Sequence, residues 1–270
     1  MNKNSMKRQL ARAFAIAAGA ALLTGCGSSA GAGGSGLLKV GVRKNLSNFS
    51  SYNEEADTYY GFEDDLAREL ALRLGYSGVE YVGLDPDERE EALETGSVSV
   101  LIAAFSYTDE RAEKFDLSDP YYVDAGRVMV EKSSLIEDYR DLAGTKVAVR
   151  SGTTAEANLA AKLCEEGLIA DKEDLADFLE IVSFDSYEDM DTALEWGDVD
   201  AVCADGCITL SWMDDERAYF DEAYSEEDYV LATKKGSELT DKLSEALAAA
   251  LDDGTIESLE IKWGINDEKE

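Results

Sequence analysis

Histidine is absent from this chain of 270 residues. A Ser-His-Asp or Cys-His catalytic arrangement is therefore excluded, and the commonest metal ligand is missing. Cysteine is scarce: beyond Cys26 there are Cys164, Cys203 and Cys207. They lack the paired CxxC spacing of a zinc site, so no metal and no cofactor is expected. Outside the cytoplasm one disulfide could form among the three, and their spacing does not decide between that and buried thiols. Basic residues are few as well. Against 58 Asp and Glu stand 25 Lys and Arg, a net charge of −33. So acidic a chain is repelled by nucleic acid and by anionic lipid surfaces. The acids are spread through periodic segments, which reads as a solvated acidic surface. No apolar run reaches the roughly 20 residues of a membrane-spanning helix.

What is present begins at the N-terminus. Lys3, Lys7, Arg8 and Arg12 precede an alanine-rich apolar run from Ala13 to Leu23. A charged segment followed by a short apolar one is the pattern of a secretory signal. The run ends in Leu23-Thr24-Gly25-Cys26, which resembles the bacterial lipobox, whose cysteine becomes the lipidated first residue of the mature protein. The alternative is an ordinary signal peptide with an incidental cysteine. Gly27 to Gly36 holds only Gly, Ser and Ala, a composition that makes a flexible tether. Residues 1–25 are thus read as signal, and 26–37 as lipidated Cys26 and tether. An extracytoplasmic location, held at the membrane by lipid, follows.

From residue 38 strands and helices alternate. Leu38–Val42 reads as a strand, and Phe62–Leu74 as a helix with Leu66, Leu70 and Leu74 at four-residue spacing. The apolar run Val98–Phe105 reads as a central strand. A second set follows: strand Lys146–Arg150, helix Thr154–Glu166, strand Leu179–Phe184, helix Tyr187–Trp196 and strand Asp200–Asp205. Such alternation predicts an α/β fold, and two sets predict two lobes, each a mostly parallel sheet flanked by helices. Ligands in such folds sit beyond the carboxyl ends of strands. The loops after Val42, Phe105, Arg150 and Asp205 are therefore the candidates. They carry Arg43, then Ser106 to Arg111, then Ser151 to Thr154 before a helix. A free amino acid needs a guanidinium and N–H or hydroxyl donors for its carboxylate, and an acid for its ammonium. Arg111, Ser106 and Thr154 suit the first, Asp205 the second.

Three stretches carry a family resemblance. They are GFEDDLARELALRLG from Gly61, IAAFSYTDERAEKFDLSDPYY from Ile102, and VAVRSGTTAEANL from Val147 taken with GDVDAVCAD from Gly197. With Lys262-Trp263-Gly264 they resemble the family 3 extracellular solute-binding proteins, the amino-acid receptors of ABC importers. The resemblance implies the two-lobed, type II periplasmic-binding-protein-like fold, joined by two hinge strands, with lobe 1 at 38–128 and 228–265 and lobe 2 at 129–227. It implies a monomer that hands a free amino acid to an ABC permease. It gives Arg111, Ser106 and the Thr154 amide to the carboxylate, Asp205 to the ammonium, and the Ala104 backbone as a nearby acceptor. The alternatives are an Arg111 ion pair with Asp109 or Glu113, and Asp205 as a helix N-cap.

Within the family the resemblance is closest to the aspartate/glutamate-binding branch. Arg89 and Tyr187 match an arginine and a hinge-side tyrosine there, and Arg43 sits where that branch has a basic residue. Ser99 and Ser47 depart from it, replacing an aspartate and a proline. Arg43 would repel a basic ligand, and Arg43 and Arg89 together suit a second carboxylate; the alternative for both is exposed surface charge. Captured glutamate or aspartate is the expectation. Against it stand a ligand-sensing module and a dehydratase-like enzyme on the same fold.

Overall fold

The computed structural model describes residues 36–265. The signal, Cys26 and all but the end of the tether lie outside the described residues. Among the described residues no helix is long and apolar enough to cross a membrane.

Strand β1 (Leu37–Val42) is followed by three short strands, β2 (Asn45–Leu46), β3 (Ser50–Asn53) and β4 (Thr58–Tyr60), which make a small antiparallel sheet of their own. Helix α1 (Phe62–Arg73) follows. Its Phe62, Leu66, Ala67, Leu70 and Ala71 recur at helical spacing and are buried. Glu63, Asp64 and Asp65 in the first turn and Arg73 in the last complement the helix dipole. Then come β5 (Gly78–Gly83), α2 (Arg89–Thr95), β6 (Val100–Leu101), α3 (Asp109–Lys114) and the long strand β7 (Phe115–Glu131). The second set is β8 (Lys146–Arg150), α4 (Ala155–Glu165), α5 (Leu175–Phe178), β9 (Glu180–Phe184), α6 (Tyr187–Trp196), β10 (Ala201–Asp205) and α7 (Gly206–Thr209). Strands β11 (Arg217–Tyr219) and β12 (Ser225–Lys234) precede α8 (Thr240–Asp252) and α9 (Thr255–Trp263).

The main sheet runs β5-β1-β6-β12-β7-β10-β8-β9, with β11 beside β7. Pairing is parallel at β5, β1 and β6, and again at β10, β8 and β9. Between these parallel halves β12 and β7 run antiparallel, and β7 then turns its far end to β10. This is the two-lobed type II architecture. The expected lobe limits at 128/129 and 227/228 fall inside the two long strands. Gly126 pairs both Ser225 and Asp205 there, and a Cβ on it would lie 2.3 Å from Ser225 Oγ.

One expected strand is largely a loop. Only Val100–Leu101 of Val98–Phe105 pairs as a strand. Ala104 has φ 46°, in the left-handed region, and the carbonyls of Ala103 and Ala104 and the Ala104 N–H bond to side chains instead of a neighbouring strand. The run is apolar because it is a buried loop: residues 102–105 are all buried.

Candidate functional site

The eight residues singled out from the sequence come from seven places in the chain. Arg43 follows β1, Arg89 begins α2, Ala104 and Ser106 lie in the loop after β6, and Arg111 sits in α3. Thr154 precedes α4, Tyr187 begins α6 and Asp205 ends β10. All eight border one nearly closed cavity, together with Thr153 and Ile208, with room of about 10 Å³ for a water-sized body.

Arg111 is held from several sides. Thr108 caps α3 by accepting from the Arg111 N–H at 3.1 Å. The Arg111 guanidinium donates to Ser106 O at 2.8 Å and to Glu90 at 3.3 Å, and stacks 4.0 Å from the Phe105 ring centre. Its ion pair is with Glu90, on α2, and not with Asp109 or Glu113.

Arg89 spends four donors on backbone carbonyls. Nε donates to Pro86, Nη1 to Ala103 at 2.9 Å and to Ala104 at 2.5 Å, and Nη2 to Gly152 at 3.1 Å. The Ala104 carbonyl is therefore already engaged, while its N–H donates to Glu63 at 2.6 Å. Burial, with Arg111 and Arg43 close by, pushes Arg89 down to about 9. An anion entering the cavity would relieve that crowding of positive charge.

Arg43 is 2% exposed, and its Nε is buried without a hydrogen-bond partner. Its guanidinium lies 5.7 Å from the Tyr187 ring centre. Neither Arg43 nor Arg89 is an exposed surface charge. A buried guanidinium with an unused donor is costly unless something supplies an acceptor.

Asp205 stands at the N-cap position of α7 but makes no side-chain cap. Asp124 takes that role, accepting from the Cys207 N–H at 3.1 Å. Asp205 instead accepts from the Tyr229 hydroxyl at 2.5 Å. The Thr154 hydroxyl donates to Glu227, which also accepts from Asn158 and Ser225. Cys164, Cys203 and Cys207 are free thiols.

Sequence reasoning missed the layer behind the cavity: Glu63, which holds the Ala104 turn, and Glu227 and Tyr229, which hold Thr154 and Asp205. A signal existed for the last two. Residues 227 and 229 lie two apart on one strand, so they share a face.

Residues 38–266 match the bacterial extracellular solute-binding proteins, family 3. The arginine-binding extracellular protein ArtP of Bacillus subtilis is 29% identical over 245 residues, covering 89% of this chain and 92% of its own length. An ancestral arginine-binding protein, solved bound to arginine, is 31% identical; the likeness covers 84% of this chain and 98% of that one, with a TM-score of 0.72. An ancestral amino-acid-binding protein described as a precursor of cyclohexadienyl dehydratase is 29% identical, over 84% of this chain and 95% of its own, with a TM-score of 0.71.

Proposed function

The chain belongs to the family 3 bacterial extracellular solute-binding proteins, and from that premise we propose that it captures a free acidic amino acid, glutamate or aspartate, outside the cell for an ABC importer. The observation that carries this reading is the Arg43 side chain. Arg111 and Asp205 border the same cavity and can take the carboxylate and ammonium that every amino acid has. Arg43 is left over, buried beside them with an unpaired Nε. A second, side-chain carboxylate supplies the acceptor it lacks. Arg89 has one N–H not spent on carbonyls and stands by the same wall.

Relatives named for arginine set a clear contrast. A guanidinium ligand would enter a cavity already bordered by Arg43, Arg89 and Arg111. Like charges at such distances, away from water, cost more than at a surface. The proposal is of a binding protein and not an enzyme. The cavity presents guanidiniums, hydroxyls and one carboxylate whose nearest donor is Tyr229, and no pair of groups set for acid and base work. The lipid on Cys26 and the monomeric state are part of the same proposal, and palmitate labelling reads the first directly.

Calorimetric titration against the twenty amino acids tests it. Glutamate or aspartate should bind with Kd on the order of micromolar or tighter, and be recovered unchanged afterwards. Arg111→Ala should weaken that binding by about 2 kcal/mol or more, since it removes a charge-assisted bidentate contact. Binding confined to lysine, arginine or histidine would overturn the acidic reading.

A further inference from the structure

Behind the wall that carries Asp205 stands a group of acids that no cation among the described residues joins in a salt bridge. Asp124 on β7 is 4% exposed and Glu227 on β12 is 2% exposed. Asp124 is held by two backbone donors, the N–H groups of Ala125 at 2.8 Å and Cys207 at 3.1 Å. Glu227 is held by Thr154, Asn158 and Ser225 at 3.2, 2.6 and 2.7 Å. Asp205 has the Tyr229 hydroxyl, whose oxygen also lies 3.5 Å from Asp124. Arg111 pairs with Glu90 first, its charge reaching Glu227 only more weakly, and Arg150 faces Asp85. Arg89 acts on Asp205 only from a distance, with four of its donors on carbonyls.

Asp205 and Asp124 share the Tyr229 hydroxyl beside Glu227 and do not both stay charged, because the negative charges around them raise the cost of ionising either. Burial, then Glu227 and Asp124, push the Asp205 carboxyl well above the usual carboxylate range. The remaining groups that face it cannot take a proton from it. Tyr229, Tyr224, Tyr187 and Cys207 keep their own, all held up by burial first.

We propose that the ligand-free protein stores one proton in the group formed by Asp205, Asp124 and Tyr229, and that capture of an amino acid expels it. The proposal rests on the reading of the ligand as a free amino acid. Its α-ammonium brings a positive charge and three N–H donors to Asp205. The carboxyl O–H bond breaks, the proton passes to solvent, and an ammonium–carboxylate pair takes its place. Charge balances: one cation enters and one proton leaves. The apparent titration belongs to the group and not to one residue.

The linkage has a sign. While the free group holds its proton, each unit of rising pH should tighten binding by up to about tenfold, and the gain should level off once the free group has lost it. Glutamate suits the test, because neither of its carboxylates titrates between pH 6 and 8. Calorimetric titrations in phosphate and in Tris, whose ionisation enthalpies differ, should give binding enthalpies that differ by the equivalent of about one released proton. Equal enthalpies in the two buffers, with binding intact, would overturn the proposal and leave the capture reading standing. Binding of no amino acid at all would overturn both. Glu227→Gln keeps the size of the side chain and removes one charge. In that variant the pH dependence should move to lower pH and fewer protons should be released near pH 7. An unchanged proton count and profile in Glu227→Gln would show that the proton comes from elsewhere.

Discussion

Asp64 shows how a single residue can carry a pH dependence that its sequence position hides. It lies in the first turn of α1, where an acid suits the helix dipole, yet it is fully buried. Ser50 donates to Oδ1 at 3.1 Å, while Oδ2 is buried without a partner. Burial, with Glu63 next to it, pushes the carboxyl up to about 8. The folded chain therefore holds a proton there that the unfolded chain releases near pH 4. Stability from this residue is present at low pH and falls as pH rises from about 4 to 8, by up to about 1.4 kcal/mol per unit. Asp64→Asn removes the titration. Whatever offset the amide brings, the stability of the variant relative to wild type should rise between pH 5 and pH 8. Parallel denaturation curves for the two proteins across that range would refute it.

At the scale of elements, the loop that leads into α4 meets the turn before α2 at close quarters. Gly152 has φ 74°, and a Cβ there would lie 2.5 Å from the Asp87 backbone nitrogen. Its carbonyl accepts from Arg89, and Arg150 faces Asp85 at 3.9 Å. These contacts hold the 150–154 loop against the 85–89 turn, with the cavity beside them. Gly152→Ala adds both a left-handed backbone penalty and a steric wedge. It should weaken ligand binding tenfold or more and enlarge the radius of gyration of the ligand-bound protein in small-angle scattering. Wild-type affinity and size together would show that the contact does not govern closure. A second joint lies at the far end of the chain. Lys262 and Trp263 both donate to Asp65 on α1, which explains why α9 ends on that pair of residues against α1. Together they hold the Asp65 carboxyl below its usual range against the opposing effect of burial.

Across the whole molecule, the net charge of −33 opposes an anionic ligand, while the arginines at the cavity favour it. Distance decides between them. Exposed acids farther than about 8 Å are largely screened at physiological salt. Guanidiniums bordering a closed cavity act through a lower effective dielectric. Affinity should follow the local charges and the approach rate the global ones. The association rate for glutamate should therefore rise as salt is raised from low concentration, in stopped-flow measurements. A rate that falls with salt would mean that a positive surface field steers capture.

The chain alone determined a good deal. Apolar spacing placed α1 and α6 to within a residue, and β8 at its observed limits, because the face that must be buried repeats with the period of the element. The alternation of those elements gave two lobes, and four connecting loops gave Arg43, Ser106, Arg111, Thr154 and Asp205, while Arg89, Ala104 and Tyr187 of the same cavity came with the family resemblance. Other features depended on partners far along the chain. That Arg89 and Arg43 are buried, that Asp124 and not Asp205 caps α7, and that Ala103 and Ala104 turn away from the sheet were decided by tertiary structure. The bonds responsible join residues 63, 83 and 41 positions apart: Arg89 to Gly152, Asp124 to Cys207, and Glu63 to Ala104. Periodicity records which face of an element meets the core. It does not record which charge on a second element will stand opposite, and the fate of a buried charge depends on that neighbour as well as on burial.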